Sequence, residues 1–297
     1  MTKEVAIFGA TGAQGAPVVE EALKAGLKVR AVARDAAKVA QRHPTAEAYA
    51  ATLDDKGALA TVLTGVSAAF VHLPMPTDPE APQRWLQNLI EVAHEVALPL
   101  LVYSTSGSTG ERYPASAMIS GNTAARDAIL ASGIPAIVLQ PTIYLENLQI
   151  PAFLPNMASE GIVDYPPLSS EHRVSWTSHR DQAVVAAAAL QRPDLAGKAY
   201  EIATPGAVTG GELAQLLSDW QGRALSFQPL TPVAFGNRAE AALGAPGLSY
   251  VLSDLYDALN KVAPDQLAIN TGEVEATFGV TLSPLAAQIR QWSTVTA

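Results

Sequence analysis

Directly after the apolar run Lys3 to Phe8, the chain reads Gly9-Ala-Thr-Gly12-Ala-Gln-Gly15. A stretch from Ala13 to Ala25 follows, with Val18, Val19, Ala22 and Leu23 at helical spacing. This order predicts strand, glycine turn and helix. The first glycine permits a tight turn, the second lets backbone approach a pyrophosphate, and the third allows close packing of helix on strand. Free N–H groups at the helix start favour a negative ligand, so Gly9, Thr11, Gly12, Gln14 and Gly15 are candidate cofactor-binding residues. A turn that serves the fold without a ligand is the competing reading.

The same rhythm continues. Apolar runs at Leu27 to Ala33, Ala46 to Ala50, Ala68 to Leu73, Leu98 to Tyr103 and Ala136 to Leu139 alternate with segments of helical spacing. Six strands joined by crossover helices predict an α/β fold, a Rossmann-like doubly wound parallel sheet. After Pro141 prolines and glycines accumulate, at Pro151, Pro155, Gly161, Pro166 and Pro167. A domain over residues 1–150 is therefore expected, followed by a smaller C-terminal α+β substrate-binding or lid region over 151–297. The second region is read as a helix at Arg180 to Leu190, a strand at Ala199 to Ile202, a helix at Gly210 to Trp220, a strand near Leu225 to Phe227, and a mostly helical tail.

Composition excludes several chemistries. The 297 residues contain no cysteine, which removes disulfides, thiolate catalysis and Cys-ligated metal. The net charge is −9 with scattered basic residues, against nucleic-acid binding. The longest apolar stretches, Val96 to Tyr103 and Ala183 to Leu190, fall short of the ~18 residues that suggest a membrane span. The start turns to glycine too soon for a signal peptide, so the expectation is a cytoplasmic protein acting on a small-molecule substrate, with a homodimer as the default assembly.

The choice of dinucleotide is read at the end of the second strand, Val32-Ala33-Arg34-Asp35. Arg34, with Lys38 one turn later, suits a ribose 2′-phosphate and so favours NADP. In the alternative, Asp35 would take the ribose and Arg34 would be a solvated charge. Asp35 also stands where an N-cap would open the next helix. Asp54 is placed either near the adenine or as the N-cap of the following helix.

These residues resemble the NmrA-like group of atypical short-chain dehydrogenase/reductases over almost the whole chain. The resemblance rests on Gly9 to Gly15, Val29-Arg-Ala-Val-Ala-Arg34-Asp, Val102-Tyr-Ser-Thr-Ser, Gln140-Pro141-Thr-Ile-Tyr144-Leu-Glu-Asn147 and Tyr200-Glu-Ile-Ala-Thr-Pro-Gly-Ala-Val-Thr. It implies cofactor contacts at the glycine turn, at Arg34, and at Leu73 and Pro74 after the fourth strand. It also implies NADPH-dependent reduction of quinones, azo dyes or triphenylmethanes.

The superfamily's Tyr-x-x-x-Lys pair aligns with Met118-Ile-Ser-Gly-Asn122, where neither ionisable group remains. Met cannot donate a proton, and Asn122 can only hydrogen-bond, in a position to hold the nicotinamide ribose. Conventional ketone reduction by this pair is therefore not expected. Replacement donors are Tyr144, the first choice, then Tyr103, Ser106 and His72. Tyr103 and His72 each have a packing role as the rival reading, and Asn147 reads as a loop organiser. No metal site is expected: His94-Glu95 lacks the second His of a zinc-protease motif, and the five His show no ligand spacing. In His179-Arg180-Asp181 the acid is read as a helix cap. The expected function is an NADPH-dependent oxidoreductase delivering hydride to a quinone, enone or aromatic compound. The alternatives are an NADP(H)-binding redox sensor acting through a protein partner, or a lyase or isomerase on the same fold.

Overall fold

The computed structural model describes residues 3–76, 78–114, 116–264 and 266–292. Strand β1 (Glu4–Phe8) leads through helix α1 (Gly15–Lys24) to β2 (Lys28–Ala33), α2 (Ala36–Arg42) and β3 (Glu47–Ala50). Then come α3 (Lys56–Leu63), β4 (Ala68–His72), α4 (Ala81–Glu95), β5 (Leu101–Ser104), α5 (Ala117–Ala131) and β6 (Ala136–Pro141). These six strands are the six expected. Strand β5 starts at Leu101 rather than Leu98, because Pro99 has no N–H to give the ladder.

Two faces of the sheet bury complementary sets of residues. In β1, Val5 and Ile7 pack on the side of α1, while Ala6 and Phe8 pack on the side of α3 and α4. That alternation follows from the two-residue period of a strand covered on both faces.

Beyond Pro141 the chain forms β7 (Ile143–Tyr144), a 3-10 turn (Leu145–Gln149), α6 (Pro155–Ser159), β8 (Ile162–Val163), β9 (Trp176–Thr177) and α7 (His179–Ala189). It continues with β10 (Lys198–Ile202), α8 (Gly210–Gln221), β11 (Ser226–Phe227), α9 (Pro232–Leu243), α10 (Leu248–Asn260), α11 (Gly272–Phe278) and α12 (Leu285–Arg290). The main sheet has seven strands in the order β10-β6-β5-β4-β1-β2-β3, and each of its pairings is parallel.

The division at residue 150 is thereby corrected. Strand β10, expected in the second region, pairs with β6 and forms the sheet's edge. Helix α7 packs its Ala183, Ala186 and Ala189 face into the same core as Val18 and Val19 of α1. The remainder of the C-terminal half has its own core, where Tyr165, Trp176, Phe235 and Tyr256 stack with ring centroids 4.8–5.5 Å apart. Among the described residues no helix is long and apolar enough to cross a membrane.

Candidate active site

The sheet order reverses between β1 and β4, so a crevice opens at their carboxyl ends, where Gly9 and Leu73 lie. Gly9 has φ +71°, a left-handed conformation, and a Cβ there would meet His72 Nε2 at 2.5 Å. A Cβ on Gly15 would lie 2.4 Å from the Gly9 carbonyl oxygen and 2.5 Å from that of Phe8. At Gly12 a Cβ would meet only the Gly9 carbonyl, at 3.3 Å. A side chain at any of the three glycines would therefore crowd the turn, against His72 at Gly9 and against backbone at Gly12 and Gly15. His43 Nε2 donates to the Ala10 carbonyl at 2.8 Å and Arg42 Nη1 donates to that of Thr11 at 3.4 Å.

Around the end of β2, Arg34 and Lys38 are exposed. Asp35 caps α2, accepting from Ala37 N at 2.9 Å and Lys38 N at 3.2 Å. Its carboxylate is committed to the helix, which leaves the basic side chains facing solvent beside the turn. Arg42, four residues after Lys38 on α2, adds a third cation that sequence reading did not select. Its signal was the one-turn spacing.

Asp54 does not cap α3; Asp55 does, accepting from Ala58 N at 3.0 Å. The two oxygens of Asp54 instead accept from Arg84 Nε and Trp85 Nε1, each at 2.8 Å. These bonds draw Asp54 to α4 because its own carboxylate is the one facing that helix.

The β7–β9 ribbon assembles the chemistry. Ile143 pairs with Trp176 and Tyr144 with Thr177, and Thr177 Oγ1 accepts from Thr142 N at 2.9 Å while donating to the Ile202 carbonyl at 2.8 Å. This fixes Tyr144 beside the start of α7. Its hydroxyl lies 2.6 Å from Gln182 Oε1 and 2.8 Å from Gln14 Oε1. Gln14 also reaches Ser106 Oγ at 3.1 Å, and Ser104 Oγ donates to Gln182 at 3.4 Å. Ser106 is held at φ +60°, a strained backbone for a serine, with its N–H donating to Ser104 Oγ at 3.2 Å. Tyr144, Ser106 and Gln14 therefore converge, with Ser104 and Gln182 as partners that sequence reading missed.

Burial pushes the Tyr144 phenol well above its ordinary range. The serine and glutamine bonds oppose the shift without reversing it, so the group stays protonated. Tyr103 is buried at 2% exposure inside the core on the α3–α4 side, and burial raises its phenol as well. It packs and does not join the network.

His72 sits at the end of β4 and is held neutral by burial. Its Nδ1 is 3.3 Å from the Leu73 carbonyl, which can only accept, so Nδ1 carries the proton. Nε2 is then a buried lone pair with no hydrogen-bond partner among the described residues, packed over Gly9.

On α5, Asn122 Nδ2 donates to the Ser108 carbonyl at 3.4 Å and lies against Gly107, while Met118 is half-buried. The helix therefore presents an amide to the Ser106 to Ser108 loop where an ionisable pair would be expected.

Asp181 is not the cap of α7. Ser178 is, accepting from Asp181 N at 3.0 Å. The carboxylate turns inward, where it accepts from Thr204 Oγ1 at 2.6 Å and Gln288 Nε2 at 3.0 Å, and burial raises its pKa.

Next to Tyr144 stand Glu146 and His179, a further pair absent from the sequence-based selection. Burial pushes Glu146 up to about 7, and the Asp181 charge adds to this. His179 is pushed down to about 4 by burial, with His72 adding. Neither was selected, although Glu146 stands in the Gln140 to Asn147 stretch and His179 opens His179-Arg180-Asp181. Their meeting follows from two-residue strands too short to leave a hydrophobic pattern.

A doubly wound fold with a glycine turn at its switch point and a hydroxyl network facing that turn is a nucleotide-binding class of protein. A family profile described as the NmrA-like family matches residues 1–292, and the chain belongs to that family. It is 30% identical over 268 residues to the NAD(P)H azoreductase of Xenophilus azovorans, covering 89% of each chain. It is 26% identical over 254 residues to Quinone oxidoreductase 2 of Escherichia coli K12, covering 84% of this chain and 85% of that one. The fold is similar to that of the Citrobacter sp. triphenylmethane reductase complexed with NADP(H), with a TM-score of 0.79 at 20% identity over 98% and 99% of the two chains.

Proposed function

We propose that this chain is an NADPH-dependent oxidoreductase that reduces a small or medium quinone, enone or aromatic acceptor. The observation that carries the reading is the meeting of the Tyr144 hydroxyl with Gln14, a residue of the glycine turn itself. Reductase relatives, including the azoreductase at 30% identity, support it.

The turn fits a dinucleotide: Gly9, Gly12 and Gly15 each stand where a Cβ would meet a close neighbour, and their bare backbone lets a pyrophosphate approach. Gly9, Thr11, Gly12, Gln14 and Gly15 would hold the pyrophosphate, Arg34 with Lys38 and Arg42 the 2′-phosphate, Leu73 and Pro74 the end of the crevice, and Asn122 the ribose. When bound, NADPH supplies the hydride.

The chain's own residues then stabilise the reduced acceptor. Tyr144, kept protonated by burial, releases Gln14 or Gln182 and offers its O–H to the acceptor oxygen or nitrogen. A quinone or azo group spreads the incoming charge over a conjugated system, so a weak acid suffices. This accounts for Met118 and Asn122 where a simple ketone would need the ionisable pair.

Calorimetric titration with NADPH and NADH, followed by NADPH oxidation with quinones, enones, imines and azo dyes, tests the reading. Binding with turnover supports it; tight binding without turnover on any acceptor would replace it with the NADP(H) sensor.

A further inference from the structure

The Tyr144 phenol carries one proton, yet its oxygen faces two amide oxygens, Gln182 Oε1 at 2.6 Å and Gln14 Oε1 at 2.8 Å. One of the two contacts is therefore left without a proton of its own. A half-turn of a glutamine amide exchanges its oxygen and nitrogen and leaves the side chain where it is. Turning Gln182 alone would set its oxygen against Gln14 Oε1, because Gln182 Nε2 donates there at 3.2 Å. Turning Gln14 alone would set two nitrogens against each other across the same distance. Turning both keeps that bond with its direction reversed. Gln14 Nε2 and Gln182 Nε2 then both donate to the phenolic oxygen. Ser106 Oγ, on the far side of the Gln14 amide, donates to the Gln14 oxygen where it had accepted from the nitrogen, and Ser104 Oγ accepts from Gln182 where it had donated. Every contact of the network is then a donor facing an acceptor.

We propose that Gln14 and Gln182 form an amide cradle for the Tyr144 oxygen: turned together, they free its O–H for the acceptor and hold the tyrosinate left when the proton has gone. The assignment rests on the reductase reading above and gives the release of Gln14 and Gln182 its form. After hydride transfer the acceptor carries negative charge and takes the Tyr144 proton. The phenol O–H bond breaks as an O–H or N–H bond forms on the acceptor, and the electron pair of the broken bond stays on the Tyr144 oxygen. Two N–H donors face that charge. Water entering as the reduced acceptor leaves returns the proton. Gln14 and Gln182 act through Tyr144 and are positioning residues.

The surroundings give the cradle its weight. Gln182 is fully buried in the first turn of α7, so its amide bonds are made away from water. Among the described residues the phenolic oxygen has no Lys or Arg partner, and α5 supplies only Met118 and Asn122. Hydrogen bonds to the ionised form are then what can make the phenol a usable acid, and bonds to a charged oxygen are about twice as strong as neutral ones. The titratable groups facing the phenol are Glu146 on the 3-10 turn and His179 on α7, whose ring packs on it with centroids 4.4 Å apart. Both stay in place when a glutamine is replaced.

A ring-fluorinated tyrosine at position 144 brings ionisation of the phenol into a measurable pH range and tests the cradle without cofactor or turnover. With both glutamines present this phenol should be about 10- to 100-fold the stronger acid than in Gln182→Met, the worth of one hydrogen bond to a charged group. Gln182→Glu keeps the shape but has no N–H to give when ionised, and should weaken the acid at least as much. The side-chain amide signals of Gln14 and Gln182 should shift with the midpoint of the phenol, a readout that needs no change at either glutamine. In turnover with the natural tyrosine, Gln182→Met should lower kcat by about 10-fold while KM holds. A phenol whose ionisation ignores Gln182→Met, glutamine signals that stay flat, or a kcat that rises because a competing acceptor has been removed would overturn the cradle and leave a working reductase. A protein whose phenol ionises as expected but which oxidises no NADPH with any acceptor would instead overturn the reductase reading.

Discussion

The Tyr144 hydroxyl meets the Gln14 side chain at 2.8 Å across 130 residues of sequence, joining the loop after the sixth strand to the glycine turn after the first. Gln14 belongs to the turn, so any displacement of it changes what the phenol is bonded to. The turn and the phenol are linked through one amide.

Tyr144→Phe should lower kcat by about 10²-fold, the usual range for loss of a positioned acid, with NADPH affinity little changed. The variant also leaves Gln14 and Gln182 with one partner fewer, so unfolding free energy should drop by about 1–3 kcal/mol. Steady-state kinetics, calorimetry and urea denaturation separate the two effects. Unaltered kcat would remove Tyr144 from the chemistry.

Arg34→Ala should weaken NADPH far more than NADH. A lost charge-assisted bond is worth about 1.5–3 kcal/mol, or roughly 10- to 100-fold in Kd. Equal losses for both nucleotides, measured by titration, would end the 2′-phosphate assignment. The same comparison on Arg42→Ala tests the third cation of the cluster.

Gly15→Ala should disturb helix and strand together. Its Cβ would fall 2.4–2.5 Å from two backbone carbonyl oxygens, and backbone cannot rotate away as a side chain can. An overpacking cost of about 1–3 kcal/mol and loss of nucleotide binding are expected. Wild-type stability and affinity in this variant would contradict the closeness of α1 to β1.

Glu146 and His179 should pull stability in opposite directions with pH. Glu146 has a folded pKa raised to about 7, so between its ordinary value and 7 the folded state holds more protons and stability falls as pH rises. His179 has a folded pKa lowered to about 4, so the unfolded state holds more protons between 4 and its ordinary value, and stability there rises with pH. In the native protein the two slopes largely offset one another. E146Q should expose the rising slope and His179→Phe the falling one, each approaching about 1.4 kcal/mol per pH unit. Urea unfolding at intervals from acid to neutral pH measures both, and a variant with the native slope would rule out the assigned shift.

Legibility in the sequence followed how local the physics was. The glycine turn could be read because three backbone constraints fall within seven residues, and the first six strands could be read because each is a short apolar run between helical segments, buried on both faces in the interior strands and only half-buried in the edge strand β3. Strand β10 was recognised as a strand but placed in the wrong layer, since nothing in Lys198–Ile202 says which edge it will join. Asp54 and Asp55 differ by one position, yet only Asp55 has its carboxylate over the helix start. The Asp181 position suits a first-turn acid, but the neighbouring Ser178 takes the cap and Asp181 is left for Thr204 and Gln288. Tyr144 could be selected from its place after the sixth strand, whereas Gln182, Glu146 and His179 required the β7–β9 pairing to be seen. Those two-residue strands are set by tertiary packing.

The seventh strand also dictates an order of assembly. Every residue of β6 from Ala136 to Pro141 is buried, and β10 is what covers its outer edge. As the chain leaves the ribosome, that edge stays open until some sixty further residues have followed, among them the Tyr144 loop and α7. A fragment ending at residue 150 would carry an uncovered, apolar strand of the kind that recruits other strands. The sheet can therefore close only after every residue of the Tyr144 network has been made.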